Sequence, residues 1–293
     1  MKKIIIPGTI PTGELHQYLL GSVAPRPIAF VSTIDEFGRT NLAPYSFFNA
    51  FSSNPPILVF SSNRRVEGNT TKDTLHNIMA SKECVINVVN YEIVRQMMVC
   101  SVDFPNDISE FEEAGLTPTK AQMVKAPLVL ESPVNMECKV EQIITLGDQG
   151  GAGHLIVCHV VCMHINESVL DENDKIDPHK IDLMGRMGRA FYVRASGDAV
   201  LTLPQSQHLP IVGYQNLPEH IRLSQILTAN MIGYLSGMKH WYTKEEVLNE
   251  LNEMQDWKKA MNSQDRMTEI HVLAAKIFNQ GHVELSAKIL ASV

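Results

Sequence analysis

Residues 61–74 read Ser-Ser-Asn-Arg-Arg-Val-Glu-Gly-Asn-Thr-Thr-Lys-Asp-Thr. Three cations (Arg64, Arg65, Lys72) and five hydroxyls (Ser61, Ser62, Thr70, Thr71, Thr74) share these fourteen positions. The rest of the chain leans the other way, with 25 Lys plus Arg against 32 Asp plus Glu and a formal charge of −7. The segment runs from a predicted strand end through a loop into a predicted helix N-terminus. Free backbone N–H groups, the positive end of a helix dipole, hydroxyl donors and a counter-charge together hold a phosphate. A solvated loop leading into an ordinary helix cap fits the same residues, and the pattern alone leaves both readings open.

A second constellation is Ala24-Pro-Arg-Pro-Ile-Ala-Phe-Val-Ser-Thr33, a turn, then Asn41-Leu-Ala-Pro-Tyr-Ser-Phe-Phe48. Pro44 within a strand removes a ladder donor and implies an edge or a bulge. A bulge leaves neighbouring backbone N–H and C=O groups free for a ligand such as a flat heteroaromatic ring. An irregular edge strand without a ligand fits equally well. No protein-borne catalytic signature appears: the chain lacks GxSxG, HExxH, a P-loop Gly-Lys-Ser/Thr and a helix-opening GxGxxG. Gly150-Gly-Ala-Gly153 runs into His154 and strand residues, so it reads as a hairpin turn. If the protein is an enzyme, a cofactor carries the chemistry.

His154, Cys158, His159, Cys162 and His164 fall within eleven positions and invite a metal reading. Their segment is rich in β-branched residues and follows a Gly-rich turn, which predicts a strand. On a strand Cys158 and Cys162 share a face but lie roughly 13 Å apart. Zinc needs its sulfur ligands within about 2.3 Å, so that one strand cannot supply both, and buried thiols in a β core are expected instead. With Cys84, Cys100 and Cys138 the cysteines number five. An odd count without close pairs argues against a disulfide framework and fits a reducing compartment.

The elements that must position these groups divide at about residue 204. Before it, strands are predicted at Ile28–Thr33, Leu42–Phe48, Ile57–Ser61, Cys84–Val89, Asn135–Leu146, Leu155–Ile165 and Ala190–Ala195. Short helices are predicted at Lys72–Ser81, Glu92–Cys100 and Ser109–Ala114. Many short strands with few long helical periods suggest a barrel or sandwich. From Leu217 the pattern turns helical: Pro218–Gly237, Thr243–Asn262 with a Thr243/Glu246 capping box, Gln264–Asn279 and His282–Ala291. Pro204-Gln-Ser-Gln-His208 is the expected linker between residues 1–204 and a helical extension at 205–293.

Composition narrows the function classes. The 293 residues are 44% hydrophobic and 19% charged, which suits a packed fold rather than a disordered chain. The acidic balance disfavours nucleic-acid and anionic-membrane partners. Apolar runs such as Ile28–Val31 fall far short of the roughly 18–20 residues that span a bilayer. The basic start Met-Lys-Lys is followed by only three apolar residues, so no signal peptide is expected and a cytoplasmic location is.

The run Val23–Thr33, with Asp35, Gly38, Asn41–Phe48 and Pro55-Pro56, resembles the flavin reductase-like family, nearest its flavoredoxin-type branch. Ser61-Ser62, Asn69-Thr-Thr-Lys-Asp-Thr74, Gly153-His154 and Ile176-Asp-Pro-His-Lys-Ile181 leading to Gly185-Arg186 and Tyr192 extend the match over roughly residues 20–200. The resemblance implies a mainly β (α+β) split barrel that holds FMN non-covalently at the interface of a homodimer. The segment from Asn41 through Ala43, Pro44, Tyr45 and Ser46 to Phe47 would lie along the isoalloxazine ring. Ser61, Ser62, Arg64, Lys72 and Thr74 would hold the ribityl phosphate, and Asp73 would be among the cofactor-binding residues. His154 would lie near the flavin, where a reduced nicotinamide could stack, although the Asp that often precedes it in the family is Gly153 here. Arg186 and Tyr192 would close the site, and no metal is implied. A satisfied strand-end histidine is an equal reading for His154.

The implied activity is hydride transfer from NADH or NADPH to flavin N5, with electrons passing on to a flavin, an iron centre, a quinone or a protein partner. The alternative within this branch is a flavoredoxin-like electron-transfer protein reduced by a ferredoxin-like partner. A protein-interaction module built on the helical extension is the third reading.

Overall fold

The computed structural model describes residues 2–203 and 210–293; the expected linker at residues 204–208 lies outside them. The chain divides into two compact units, Met1–Leu201 and Thr202–Val293.

The first unit is built on strands β1 (Ala29–Ile34), β2 (Thr40–Tyr45), β3 (Phe48–Ser53), β4 (Pro56–Asn63), β5 (Glu83–Val88), β6 (Pro118–Thr119), β7 (Leu128–Val129), β8 (Val134–Thr145), β9 (Gly153–Ile165), β10 (Leu183–Arg186) and β11 (Tyr192–Ala195). Seven of them form one antiparallel sheet in the order β2-β1-β5-β8-β9-β4-β3. Strands β2 and β3 end that order, yet only Ser46 and Phe47 separate them in the chain. The sheet must therefore curl until its ends meet. Just before β3, the Ser61 N–H donates to Phe47 O at 2.8 Å and extends the β3–β4 pairing to the turn itself. This is a barrel left open along β2, a split barrel.

Alternation explains why β1 is buried along almost its whole length. Ala29 and Val31 join Phe60, Leu75, Ile86, Ile156 and Cys158 in the main core. Phe30 points the other way, into a second cluster with Leu42, Met97 and Phe111. Successive strand residues face opposite sides, so a strand covered on both faces reads as one apolar run. Helix α1 (Thr12–Ser22) precedes the sheet, α2 (Asp73–Ser81) follows β4, and α3 (Val94–Val99) and α4 (Glu110–Ala114) pack on β1 and β2. A short α5 (Pro178–Ile181) leads into the β10–β11 hairpin.

The sequence predicts one strand over Leu42–Phe48; the structure breaks it after Tyr45, because the seam turns the chain from one sheet end to the other. Helix α1 and strand β10 are not anticipated either. Their surroundings explain why: Arg26 sutures both to β1 (below), and neither shows a strong period of its own.

The second unit contains α6 (Glu219–Arg222), α7 (Ala229–Ser236), α8 (Lys244–Leu251), α9 (Gln255–Met261), α10 (Arg266–Asn279) and α11 (Val283–Ala291). The expected helix over Pro218–Gly237 is interrupted where Ser224 Oγ accepts from the N–H groups of Ile226 and Leu227, at 3.2 and 3.0 Å. Thr228 then caps α7 through Met231 N–H. Hydroxyl side chains that bond nearby backbone compete with helix continuation. The expected Thr243–Asn262 helix likewise divides into α8 and α9, while its capping box forms, with Thr243 N–H on Glu246 at 2.7 Å. The unit has its own core around Ile221, Leu235, Leu251, Trp257, Ile270 and Leu290, with Trp241 packed against it. Trp257 Nε1–H donates to Ser292 Oγ at 2.9 Å.

Candidate functional site

Strand β2 ends the sheet order, and Pro44, opposite Phe30 on β1, lies in it. A missing N–H is tolerated on such an edge. Three clefts meet at Pro44. One, of about 240 Å³, adds Tyr45, Ser46, Met97, Arg186 and Tyr192. A second, of about 270 Å³, adds Arg26, Phe47, Ser61, Lys72 and Arg186, and no carboxylate lines it. The third, of about 100 Å³, adds Ala43, Arg65, Lys72, Asp73, Thr74 and Asp103. The structure thus gathers the Asn41–Phe47 stretch, the cationic loop and the β10–β11 hairpin around one strand edge.

Within the cationic loop the two arginines have opposite assignments. Arg64 lines none of these clefts; its guanidinium bonds Asn69 at Oδ1 (2.6 Å) and O (2.7 Å) and so braces the loop. The residue expected to contact phosphate is therefore found bonded to its own loop. Arg65 faces the site instead, paired with Asp103 and donating to Thr71 O at 2.9 Å. The bond to Asp103 raises the Arg65 pKa and lowers that of Asp103.

Lys72 is half-buried, its Nζ sits 5.3 Å from the Tyr45 ring centroid, and it has no ion pair among the described residues. Desolvation pulls its ammonium below the usual lysine value. As the N-cap of α2, Lys72 supplies no side-chain acceptor, so the first-turn amides remain uncapped. Two hydroxyls beneath the loop, Tyr45 Oη and Ser62 Oγ, are buried without hydrogen-bond partners. The Tyr45 hydroxyl lies beside Thr74 and Ser62, and burial pushes its pKa up to about 12. An uncompensated cation at a helix N-terminus that no side chain caps fits a bound phosphate.

Asn41 and Thr74 are committed to each other rather than to a ligand. Thr74 Oγ1 donates to Asn41 Oδ1 at 2.7 Å, while Asn41 Nδ2 donates to Glu110 Oε1 at 2.8 Å. Glu110 Oε2 accepts Leu42 N–H at 3.1 Å, and burial raises this carboxyl's pKa. Glu110, missed from the sequence, therefore fixes the start of β2 against α2. Its only sequence signal is an acidic residue at the start of a predicted amphipathic helix.

His154 is 4% exposed, with Nδ1 3.2 Å from Ser62 O, and lines none of the three clefts. It is a strand-end histidine in the interior, the placement that the second of its two sequence readings describes. The preceding Gly153 is dictated by packing: a Cβ there would lie 2.6 Å from Ser61 Oγ and 3.3 Å from Asn63 Oδ1. No aspartate could stand at this position without displacing Ser61.

Arg186 and Tyr192 stand across β10–β11, with the guanidinium 4.5 Å from the ring centroid. Arg26, also missed from the sequence, is buried beside them. It donates to Leu20 O (2.7 Å), Val23 O (2.6 Å) and Met187 O (3.0 Å), and its backbone bridges that of Arg186. Desolvation lowers its pKa, with Arg186 adding to the effect. One side chain thus ties the end of α1 and the β10–β11 hairpin to the site. Among the described residues no helix is long and apolar enough to cross a membrane.

Comparison with known proteins agrees with this architecture. A protein of Aquifex aeolicus (strain VF5) is 39% identical over 187 residues, 64% of this chain and 93% of that relative. The crystal structure of nitrilotriacetate monooxygenase component B from Bacillus cereus superposes with a TM-score of 0.63 at 28% identity, covering 71% of this chain and 99% of that one. That of Pseudomonas fluorescens 2-nitrobenzoate 2-nitroreductase does so with a TM-score of 0.60 at 31% identity, covering 72% and 100%. The family model described as "Flavin reductase like domain" matches residues 20–181, which hold β1 through α5 and the whole β2 edge. The chain belongs to the flavin reductase-like family, and its first unit is that family's split barrel.

Proposed function

We propose that the protein is an NAD(P)H-dependent flavin oxidoreductase that holds FMN non-covalently along the β2 edge. The observation that carries this reading is Lys72, a half-buried cation with no ion pair among the described residues, set at a helix N-terminus that no side chain caps. A phosphate supplies the missing counter-charge and acceptors. Arg65 and Ser61 flank it, and the Pro44–Phe47 backbone is positioned to meet a flat ring. Arg186 and Tyr192 wall the opposite side, and Arg26 holds that wall in place. When bound, FMN supplies the redox chemistry, taking hydride from NADH or NADPH and passing electrons to a flavin, iron or protein acceptor. The chain contributes binding, orientation and exclusion of water.

A homodimer belongs to the same proposal. Strand β3 ends the sheet, is exposed along nearly its whole length and carries Phe51 at 69% exposure. Such an edge needs cover, and a second copy of the chain provides it.

The test is anaerobic stopped-flow reduction of the FMN-loaded protein. Bleaching of the oxidised flavin bands by NADH or NADPH is expected. Bleaching only by a reduced ferredoxin-like donor would assign the protein to electron transfer instead. A purified chain that takes up no FMN would overturn both.

A further inference from the structure

The His/Cys-rich stretch of β9 plays no part in the flavin site, yet the neighbouring strand completes it. Glu137 on β8 lies opposite Cys162, and His164 is two residues further along β9 on the same face. One ligand atom from each of the three lies within 4.8 Å of the other two. The exclusion argued from sequence concerned Cys158 and Cys162 on one strand; it does not reach a site shared between two strands.

We propose that Glu137, Cys162 and His164 form a binding site for a borderline divalent transition metal, with zinc the expected occupant. Cys162 Sγ lies 3.6 Å from His164 Nε2. Zinc–sulfur and zinc–nitrogen bonds of about 2.3 and 2.05 Å at a tetrahedral angle require a separation of about 3.6 Å. His164 Nε2 now sits 2.6 Å from Glu137 Oε1, and an ion between them needs this to open to about 3.4 Å. His164 is partly exposed, so its ring can move by that amount.

The carboxylate is held in advance. Glu137 is fully buried and accepts N–H groups from Gln122 (2.9 Å), Met123 (2.6 Å) and Val124 (3.0 Å). Supporting bonds of this kind orient a ligand and are part of a metal site's affinity. A mixed oxygen, sulfur and nitrogen set suits zinc, and three protein ligands leave a fourth position for water. Cys162 is also the one cysteine among the five that is not buried. The three thiols Cys84, Cys138 and Cys158 are as close together, but they are buried within the main apolar core. Thiolate charge placed there would be uncompensated in a medium of low dielectric, so they remain thiols.

The experiment follows alkylation of Cys162 by iodoacetamide in the dialysed full-length protein, with and without zinc chloride, by peptide mass mapping. Zinc should slow modification at Cys162 by about tenfold or more, and EDTA should restore it. His164→Gln should abolish the protection. Cys162→Ser should lose the equivalent of zinc that the unaltered chain retains through gel filtration, whereas Cys158→Ala should keep it. The proposal is overturned by an alkylation rate indifferent to millimolar zinc, or by protection that survives in His164→Gln. Retention of zinc by Cys162→Ser would do the same, since it places the ion elsewhere.

Discussion

Arg64 and Arg65 are adjacent and chemically identical, and only one faces the site. Consecutive loop residues point in different directions, and which of them turns inward is decided by partners 5 and 38 positions away, Asn69 and Asp103. Composition marks residues 61–74 as a cationic, hydroxyl-rich stretch; it could not say which members turn inward. The same limit applies to His154, whose burial depends on its pairing with Ser62 across β4 and β9. Lys72→Ala should weaken FMN binding by roughly 10- to 100-fold, the loss of a charge-assisted contact worth about 1.5–3 kcal/mol. Arg64→Ala should weaken it by less than about threefold, because its guanidinium contacts the loop and not the ligand. Titration of FMN fluorescence distinguishes the two, and equal losses would contradict the assignment.

Elements were legible where the period was local. The β-branched runs of β1, β4, β5, β8 and β9 and the span of α2 announce themselves. Helix α1, strand β10 and the break between β2 and β3 do not, since each depends on a distant partner: Arg26 for the first two, the closing sheet for the third. The turn before β9 belongs to the same class. A Cβ at Gly150 would lie 2.6 Å from Val66 O, so the hairpin packs directly on the cationic loop. Gly153→Ala should therefore act on two elements at once. Displacing Ser61 costs about 1–3 kcal/mol of overpacking strain, so thermal release of FMN should move to lower temperature. An unchanged release temperature would show that Ser61 yields freely.

At the scale of the whole molecule the two units respond to different conditions. In the second unit Ser224 Oγ accepts two N–H groups, so its own proton goes to His271 Nδ1 at 2.9 Å. That assigns the single ring proton of His271 to Nε2, which donates to His220 Nδ1 at 3.0 Å. Burial lowers both pKa values from 6.5, and the neighbouring His220 lowers that of His271 further. A lowered histidine pKa means the folded unit resists a proton that the unfolded chain accepts. This stability is fully present above about pH 6.5 and is lost as pH falls through the lower folded values. Acidification from pH 7.5 to pH 5 should thus destabilise the helical unit selectively, and His271→Gln should flatten that dependence. The residues of the flavin site all lie in the first unit, so a chain ending at Leu201 should still take up FMN, measured by its absorption spectrum.

Both tryptophans of the protein, Trp241 and Trp257, belong to the helical unit's core. Trp257 is hydrogen-bonded at its last turn, through Ser292. Indole emission is then a private signal of the helices, and flavin emission a private signal of the barrel. A single sample, excited at two wavelengths during one denaturant titration, yields two melting curves without a label or a cut in the chain.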